Sequence, residues 1–573
     1  MLTSGKHMQG PTRLPSGWKL WLGVAVSVYA LVLLCTRPYT YADTFNYGLH
    51  IVDHSRAAVP AGQDPFWDFG HVLWRPMGYV VWSVFRPVLD GAFPADRALG
   101  AGVALIALSV VGGLLSVVFL FLLAARVTGK AWAGGAAAMG LIATDAVVNY
   151  AATGTVYVAG GALQFAGLYV LFRAIQEDRL TVWRGLAAGL LLGASVALWF
   201  PYCLTVPGLL CFGLLWPRAG GGNLRARIRF LLPAVAGCAL ALAAVYVPIM
   251  AAAKVASVAE ARNWVARDRY NEEPNRLYLR MVAGIPRSFL YLGPETVTWK
   301  RILFRGAGNR PSLAETARSG LWKAAVVYLV LGWLALRLMR RHRTLLGCLL
   351  VNAAPVLFFA AFLFNPAPPE RYYPVFPLLF LGFACVMAGE DRARTGRAVP
   401  MAFFAAMLLV NCAVMWRFDG NRGFEDTVAR LQGLNPHVTP NDLIVVLSYP
   451  DPVNLFVAAR PFDLASRYRY LLYVAIPLGT SRMAVWRRDL AETAMDSWRR
   501  GGHVWISLRL LAASPRPEWG WVEGDDKRIS WAAVPAFFGK LDLLPPVGGA
   551  DGFAELATSQ RNRQLFGELS PGR

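Results

Sequence analysis

The chain has 573 residues, of which 56% are hydrophobic and only 16% charged, and its 57 Lys+Arg against 35 Asp+Glu give a net charge of +22. Soluble chains carry about a quarter charged residues, so this composition excludes an intrinsically disordered chain and argues against a purely soluble enzyme. A basic excess of this size points to nucleic acid, anionic lipid or a phosphate-bearing ligand, and only its placement along the chain chooses among them.

The first apolar run, Trp18 to Cys35, follows Lys6, Arg13 and Lys19 and continues into Thr36-Arg37-Pro38 with no small-x-small cleavage pattern. It reads as a retained anchor behind a cytoplasmic N-terminus, residues 1–17. An outer segment, 37–98, comes next, and within it Val72 to Val88 is semi-apolar but broken by Arg75, Pro76, Arg86 and Pro87. We read that stretch as a helix lying along the interface, because a crossing there inverts every later loop against the charge rule. Further runs of bilayer-crossing character follow at Leu99 to Leu123, Trp132 to Tyr150, Val156 to Leu171, Leu186 to Phe200, Leu204 to Trp216, Phe230 to Met250, Leu321 to Leu336, Leu345 to Leu363, Val375 to Met387 and Met401 to Met415. With the first, that makes about 11 transmembrane helices.

Short-loop Lys/Arg bias sets the orientation. With the N-terminus inside, the inner loops hold Arg126 and Lys130; Arg173, Arg179 and Arg184; Arg218, Arg225, Arg227 and Arg229; Arg337, Arg340, Arg341 and Arg343; and Arg392, Arg394 and Arg397. The outer turns Ala151 to Thr155 and Pro201 to Cys203 carry no Lys or Arg. Much of the net charge is therefore a topology signal that requires no nucleic acid. Against this bias, the long outer loop 251–320 is also basic, which locates an anionic partner at the outer membrane–water boundary. After Arg417 the chain turns polar: Leu443 to Leu447 and His503 to Leu508 read as strands and Arg487 to Arg499 as a helix, so 417–573 is expected to be a small α/β domain outside the membrane. The seven cysteines all fall in or beside apolar runs, without CxxC pairs or metal-ligand spacing, and read as small buried hydrophobes.

Just past the first run stands Asp43, within Tyr41-Ala42-Asp43-Thr44-Phe45-Asn46-Tyr47-Gly48. Two roles are open to it: a helix N-cap, for which Asp is favoured, or a carboxylate at the mouth of a membrane helix that meets both a lipid-linked and an aqueous substrate. The same segment holds Asp53, His54, Asp64, Asp68, His71 and Arg75 among aromatic residues. Rings that stack on sugar faces and carboxylates that accept a hydroxyl proton suit a sugar-binding acid/base site; a solvated loop with an aromatic belt is the alternative. Asp53 and Asp64 belong to the solvated class.

Asp43 with Tyr47-Gly48, then Trp67-Asp68-Phe69-Gly70-His71 with Pro76, resemble two elements of the polyprenyl-phosphate-sugar-dependent glycosyltransferases of the GT-C superfamily, which include protein O-mannosyltransferases and aminoarabinose transferases. Thr44 stands where many members carry a second acid. Two further segments fit the resemblance: Asp145 to Tyr157, at the second outer turn, and Pro368-Pro369-Glu370-Arg371-Tyr372-Tyr373-Pro374, at the outer start of a late span. Asp145 is also a candidate by physics, since an acid within a span is costly unless it faces a cavity; a solvated helix-end acid is the alternative. Arg371 is open to bidentate pairing with a phosphate or to service as an interfacial anchor.

The resemblance, which covers Trp18 to Trp416, implies a multi-pass α-helical membrane fold with an extracytoplasmic C-terminal domain in a cell (inner or plasma) membrane. It implies transfer of a sugar from a polyprenyl-phosphate donor to an acceptor hydroxyl at the outer face. Asp43 is then the expected general base, and Asp68, His71, Arg75, Asp145, Tyr150, Tyr157, Arg371 and Tyr372 the expected substrate-binding residues. Charge stabilisation is expected from Arg371, Arg75 and the loop residues Arg262, Arg267, Arg269, Arg276 and Arg280. No cofactor is expected: a divalent metal is compatible with the chemistry, but the sequence shows neither a DxD motif nor a decisive ligand cluster. A flippase or transporter, a polymerase of lipid-linked saccharides and a membrane scaffold are the competing classes. A transporter calls for polar residues along a mid-membrane path, whereas these runs are mostly Ala, Leu, Val and Gly.

Overall fold

The computed structural model describes residues 14–36, 42–54, 65–92, 97–216, 224–267, 277–292, 312–318, 320–363, 368–389, 394–417, 434, 437–439, 441–446, 472–474, 486–514, 532–547 and 552–569. Helix α1 (Trp18–Thr36) leads to α2 (Ala42–Asp53), 3-10 turns at Pro65–Trp67 and Phe69–His71, and α3 (Trp74–Ala92). Then come α4 (Arg97–Thr128), α5 (Ala131–Ile142), α6 (Asp145–Tyr150), α7 (Tyr157–Gln176), α8 (Val182–Leu198), a 3-10 turn (Phe200–Thr205) running into α9 (Val206–Leu215), and α10 (Leu224–Ala252). The long loop contributes α11 (Val258–Arg267), α12 (Leu277–Phe289) and α13 (Leu313–Arg318). It is followed by α14 (Leu321–Arg341), α15 (Arg343–Phe358) with a π turn at Phe359–Leu363, a 3-10 turn at Pro369–Val375, α16 (Phe376–Gly389) and α17 (Arg394–Arg417).

Among the described residues, eight helical segments are long and apolar enough to cross a membrane: Trp18–Thr36, Gly100–Thr128, Tyr157–Gln176, Leu224–Ala252, Trp322–Arg341, Arg343–Leu363, Pro369–Gly389 and Gly396–Val414. The three other predicted runs fall on the shorter apolar helices Ala131–Ile142, Val182–Leu198 and Phe200–Leu215, whose length alone does not make them crossings. The protein is thus a multi-pass helical membrane protein.

The run expected as one span from Trp132 to Tyr150 is broken. Thr144 takes an extended conformation and caps α6, its Oγ1 accepting from the Val147 amide at 3.3 Å. The Ala143 carbonyl left over at the break accepts from Asn411 Nδ2 of α17 at 2.8 Å. That partner, far away in sequence, satisfies a buried group that would otherwise oppose the break.

Helix packing relies on small residues, as expected where lipid removes the hydrophobic drive between helices. Gly185, Gly189 and Gly193, four apart on α8, lie against the α10 backbone; a Cβ on Gly185 would stand 2.5 Å from the Phe230 carbonyl oxygen, and one on Gly193 2.7 Å from that of Cys238. At one end of the bundle Glu177 gathers Arg126 of α4 (3.5 Å), Arg173 of α7 (2.7 Å) and Arg184 of α8 (3.1 Å). Lys130 Nζ donates to the Ala388 carbonyl and Arg341 to that of Gly389. The opposite end holds α2, α3, α6 and the 3-10 turns. Helix α3 starts there, with Trp74 Nε1 donating to the Gly154 carbonyl, and ends there, with Leu89 and Trp82 against Gly100 of α4. It is two-faced: Trp74, Arg75, Gly78 and Trp82 are buried while Val80, Val84, Phe85 and Val88 are exposed.

Helices α11 and α12 reach different parts of that end. On α11, Trp264 Nε1 donates to the Trp67 carbonyl at 2.6 Å, while α12 packs on the Pro369–Val375 turn and on α6. After α17, the described residues include β1 (Leu443–Val446), β2 (Leu472–Val474), α18 (Trp486–Arg499), β3 (Val504–Ser507), α19 (Ala533–Phe538), β4 (Phe553–Glu555) and α20 (Gln560–Leu569). The strands form a sheet of order β2-β1-β3-β4, parallel except for the β3–β4 pair. Asp442 ties the start of β1 to β3 by accepting from the His503 amide and from Trp505 Nε1, both at 2.9 Å.

Candidate active site

The site is built from two halves around Asp43, which is the second residue of α2 and so not its N-cap. An acid in the first turn is favoured there by the unsatisfied amides of the helix start. Its neighbour Thr44 is fully buried and anchors the turn, its Oγ1 accepting from the Gly154 amide at 3.1 Å. The same Gly154 accepts from Trp74 Nε1 at 3.1 Å, so one glycine joins α2 to α3. The position that holds a second acid in the resembled enzymes is here a dry packing contact.

In the first half, Asp68 caps the Phe69–His71 turn, its Oδ1 accepting from the Gly70 amide at 2.9 Å. Its Oδ2 takes Arg75 Nη1 at 2.8 Å and lies 3.2 Å from His71 Nδ1. The Arg75 guanidinium stands over the Tyr47 ring, 4.5 Å from its centroid, one helical turn beyond Asp43. His71 Nε2 is buried without a hydrogen-bond partner.

In the second half, Tyr150 donates to Glu370 Oε2 at 2.6 Å, and Glu370 Oε1 lies 3.6 Å from Arg371 Nη2. The Arg371 guanidinium is 5.8 Å from the Trp199 ring. Aromatic rings join the halves: His71 to Tyr157 at 6.5 Å, Tyr157 to Tyr150 at 5.0 Å and to Trp199 at 4.8 Å. Tyr202 fixes Tyr157 by donating to its carbonyl at 2.5 Å.

Asp43 feels both halves. Burial first, and then the Glu370 charge, push its carboxyl above the ordinary value, while His71, Arg371 and Arg75 pull it down. The rise prevails, which marks a carboxylate with an enhanced appetite for a proton.

Of the expected residues, the structure gathers Asp43, Asp68, His71, Arg75, Tyr150, Tyr157 and Arg371 around this centre. Asp145 is buried, and Arg287 of α12 and Glu370 are the charges that act on it. Tyr372 is buried next to Glu370 and Arg371 on the side of Tyr328 in α14. Of the loop arginines, Arg262 is exposed on α11; Arg269 and Arg276, and the side chains of Arg267 and Arg280, lie outside the described residues, as does Asp64. Sequence reasoning named Glu370 and Tyr47 only as parts of their motifs, with no role in the site, and did not single out Trp199. An acid beside Arg371 was a visible signal for the first, but its tyrosine partner lies 220 residues earlier. No group of three or more His, Cys, Asp or Glu that could hold a metal ion occurs among the described residues.

No family model matches the chain. No curated protein matches it either. Among solved structures it is similar to ArnT from Cupriavidus metallidurans bound to undecaprenyl phosphate, with 12% identity, a TM-score of 0.50, and coverage of 97% of this chain and 100% of that one. The apo state of the same ArnT matches with 14% identity, TM-score 0.46 and coverage of 96% and 99%. The Archaeoglobus fulgidus oligosaccharyltransferase, in complex with Zn and sulfate, matches with 12% identity, TM-score 0.46 and coverage of 92% and 73%. The likeness to undecaprenyl-phosphate-bound ArnT extends over nearly the whole of both chains, and the two share a fold.

Proposed function

We propose that the protein is a GT-C-type glycosyltransferase that moves a sugar from a polyprenyl-phosphate donor to an acceptor hydroxyl at the extracytoplasmic face of the cell membrane. The observation that carries this reading is that Asp43 lies within electrostatic reach of two arginines, each of which has a carboxylate and an aromatic ring beside it. It is supported by a fold shared with a protein whose structure holds undecaprenyl phosphate. The proposal includes eleven crossings with α3 at the interface, N-terminus inside, and 417–573 outside.

In the proposed reaction the acceptor hydroxyl attacks the anomeric carbon from the Asp43 side, and its proton passes to the Asp43 carboxylate. The bond from the anomeric carbon to the phosphate oxygen breaks, with inversion, and the polyprenyl phosphate leaves as an anion. A leaving group already stable as an anion needs no acid partner; Arg371 and Arg75 supply the positive field for it. Tyr157 and Trp199 provide faces against which the sugar stacks.

The test is transfer by detergent-purified protein from undecaprenyl-phosphate-linked glucose, mannose or arabinose. Asp43→Asn is expected to lower kcat by about a hundred- to ten-thousand-fold. Full activity in Asp43→Asn removes it as the base, and failure to bind any of these donors overturns the reaction class.

A further inference from the structure

The Asp68–His71 pair has a directionality that the transfer chemistry leaves unused. Asp68 is bonded to the buried Arg75 guanidinium and accepts an amide hydrogen, so it serves as acceptor only. The hydrogen between Asp68 and His71 therefore belongs to Nδ1, and in the neutral ring this leaves a lone pair on Nε2. Nε2 is buried and has no hydrogen-bond partner. The ring is held without it. Asp68 fixes its plane, the Leu73 amide bonds the Ala197 carbonyl at 3.2 Å, and Tyr246 donates to the Phe69 carbonyl at 3.1 Å. A buried acceptor that the fold does not need calls for a donor from outside the protein. Phosphate oxygens and a prenyl chain offer no hydrogen, whereas sugar hydroxyls do. The rings of Tyr47 and Tyr157 lie 5.9 and 6.5 Å from that of His71, so the imidazole stands in aromatic surroundings of the kind that suit a sugar.

We propose that His71 is a specificity-determining residue that accepts, at Nε2, a hydrogen bond from one hydroxyl of the sugar being transferred. The inference rests on the glycosyltransferase reading and adds to it a sugar that is hydroxylated, not deoxygenated, at one position. Asp68 acts through His71 as a positioning residue, by keeping its proton on Nδ1.

The experiment compares undecaprenyl-phosphate donors with their monodeoxy forms in the wild type and in His71→Phe, which keeps a ring and removes the acceptor. The wild type is expected to reject one monodeoxy donor by roughly ten- to a hundred-fold in kcat/KM, the range for leaving a buried acceptor unpaired. In His71→Phe the parent sugar is expected to fall to the level of that deoxy sugar, abolishing the discrimination. Undiminished discrimination in His71→Phe, or an equal loss for every donor, overturns the proposal; the second outcome assigns His71 a packing role. Asp68→Asn is expected to weaken the same discrimination and no other. If no polyprenyl-phosphate sugar is turned over, the glycosyltransferase reading fails on its own. Calorimetric titration of methyl glycosides and their monodeoxy forms into the wild type and His71→Phe then decides on His71, and equal affinities for every pair refute its role.

Discussion

The contact of Gly154 with Thr44 sets the position of Asp43, and a double-mutant cycle tests this. A Cβ added at Gly154 overlaps the Thr44 methyl, lies 2.9 Å from Leu105 Cβ and 3.2 Å from Thr44 Oγ1. Thr44 and Leu105 are fully buried, so neither swings into open space. Overpacking of this kind costs about 1–3 kcal/mol. Moving Thr44 away also stretches the hydrogen bond its Oγ1 accepts from the Gly154 amide, 3.1 Å, at about 1 kcal/mol. Gly154→Ala is therefore expected to destabilise by about 2–4 kcal/mol. It should also lower kcat by about ten- to a hundred-fold as the first turn of α2 is displaced. Thr44→Ser deletes the methyl that clashes and keeps the oxygen that accepts from Gly154, costing about 1 kcal/mol alone. In the double variant the clash is relieved, so its thermal unfolding temperature in detergent should exceed that of Gly154→Ala, with part of the lost activity restored. A double variant no more stable than Gly154→Ala refutes the contact as the cause.

Two further outcomes follow from electrostatics. Removing the Glu370 charge in Glu370→Gln takes a like charge from the surroundings of Asp43, so Asp43 should ionise at lower pH and the acid limb of kcat/KM should move down. The Gln carbonyl still accepts from Tyr150, and an upward or absent movement of the limb contradicts the coupling. In the C-terminal region, His503 Nδ1 lies 2.5 Å from Glu555 Oε1, and this bond, against a smaller effect of burial, lifts the imidazole above its ordinary value. Its contribution to stability is complete below the unfolded value of about 6.5 and is lost as pH rises through the folded value. The ring is half exposed, so the gain is small; an NMR titration should show the His503 midpoint falling in Glu555→Gln.

Much of this was legible in the sequence because it depends on local pattern. Length and apolarity located the helices, and Arg75, Pro76, Arg86 and Pro87 marked the amphipathic α3. The cluster Asp43, Asp68, His71 and Arg75 lies within one segment of the sequence, so spacing alone brought it near one centre. The break in the α5–α6 run was not legible, because its satisfied state depends on Asn411, 268 residues from Ala143. Glu370 escaped for the same reason: nothing near it in sequence tells that Tyr150 donates to it. Trp199 ends an apolar run and is indistinguishable there from an interfacial anchor until Arg371 is placed over it.

The two arginines around Asp43 are not equivalent, and the difference gives the proposed site a direction. Asp68 is committed to Arg75 at 2.8 Å, so part of the Arg75 charge is offset where it stands. Glu370 gives its shorter bond, 2.6 Å, to the Tyr150 hydroxyl and stands 3.6 Å from Arg371, a longer pair than Asp68 makes with Arg75. On the proposed reading the anionic phosphate pairs with Arg371, on the Pro369–Val375 side, whose own ion pair is the longer of the two. The side of His71 and Arg75 offers instead a lone pair and a ring face, which suit hydroxyls. A donor laid across the site with its phosphate towards Arg371 and its sugar towards His71 brings the anomeric carbon, which joins the two, into the middle, where Asp43 stands. Arg371→Gln should therefore raise the donor KM more than Arg75→Gln does, and the reverse ranking in a steady-state titration of undecaprenyl-phosphate sugar turns the donor around.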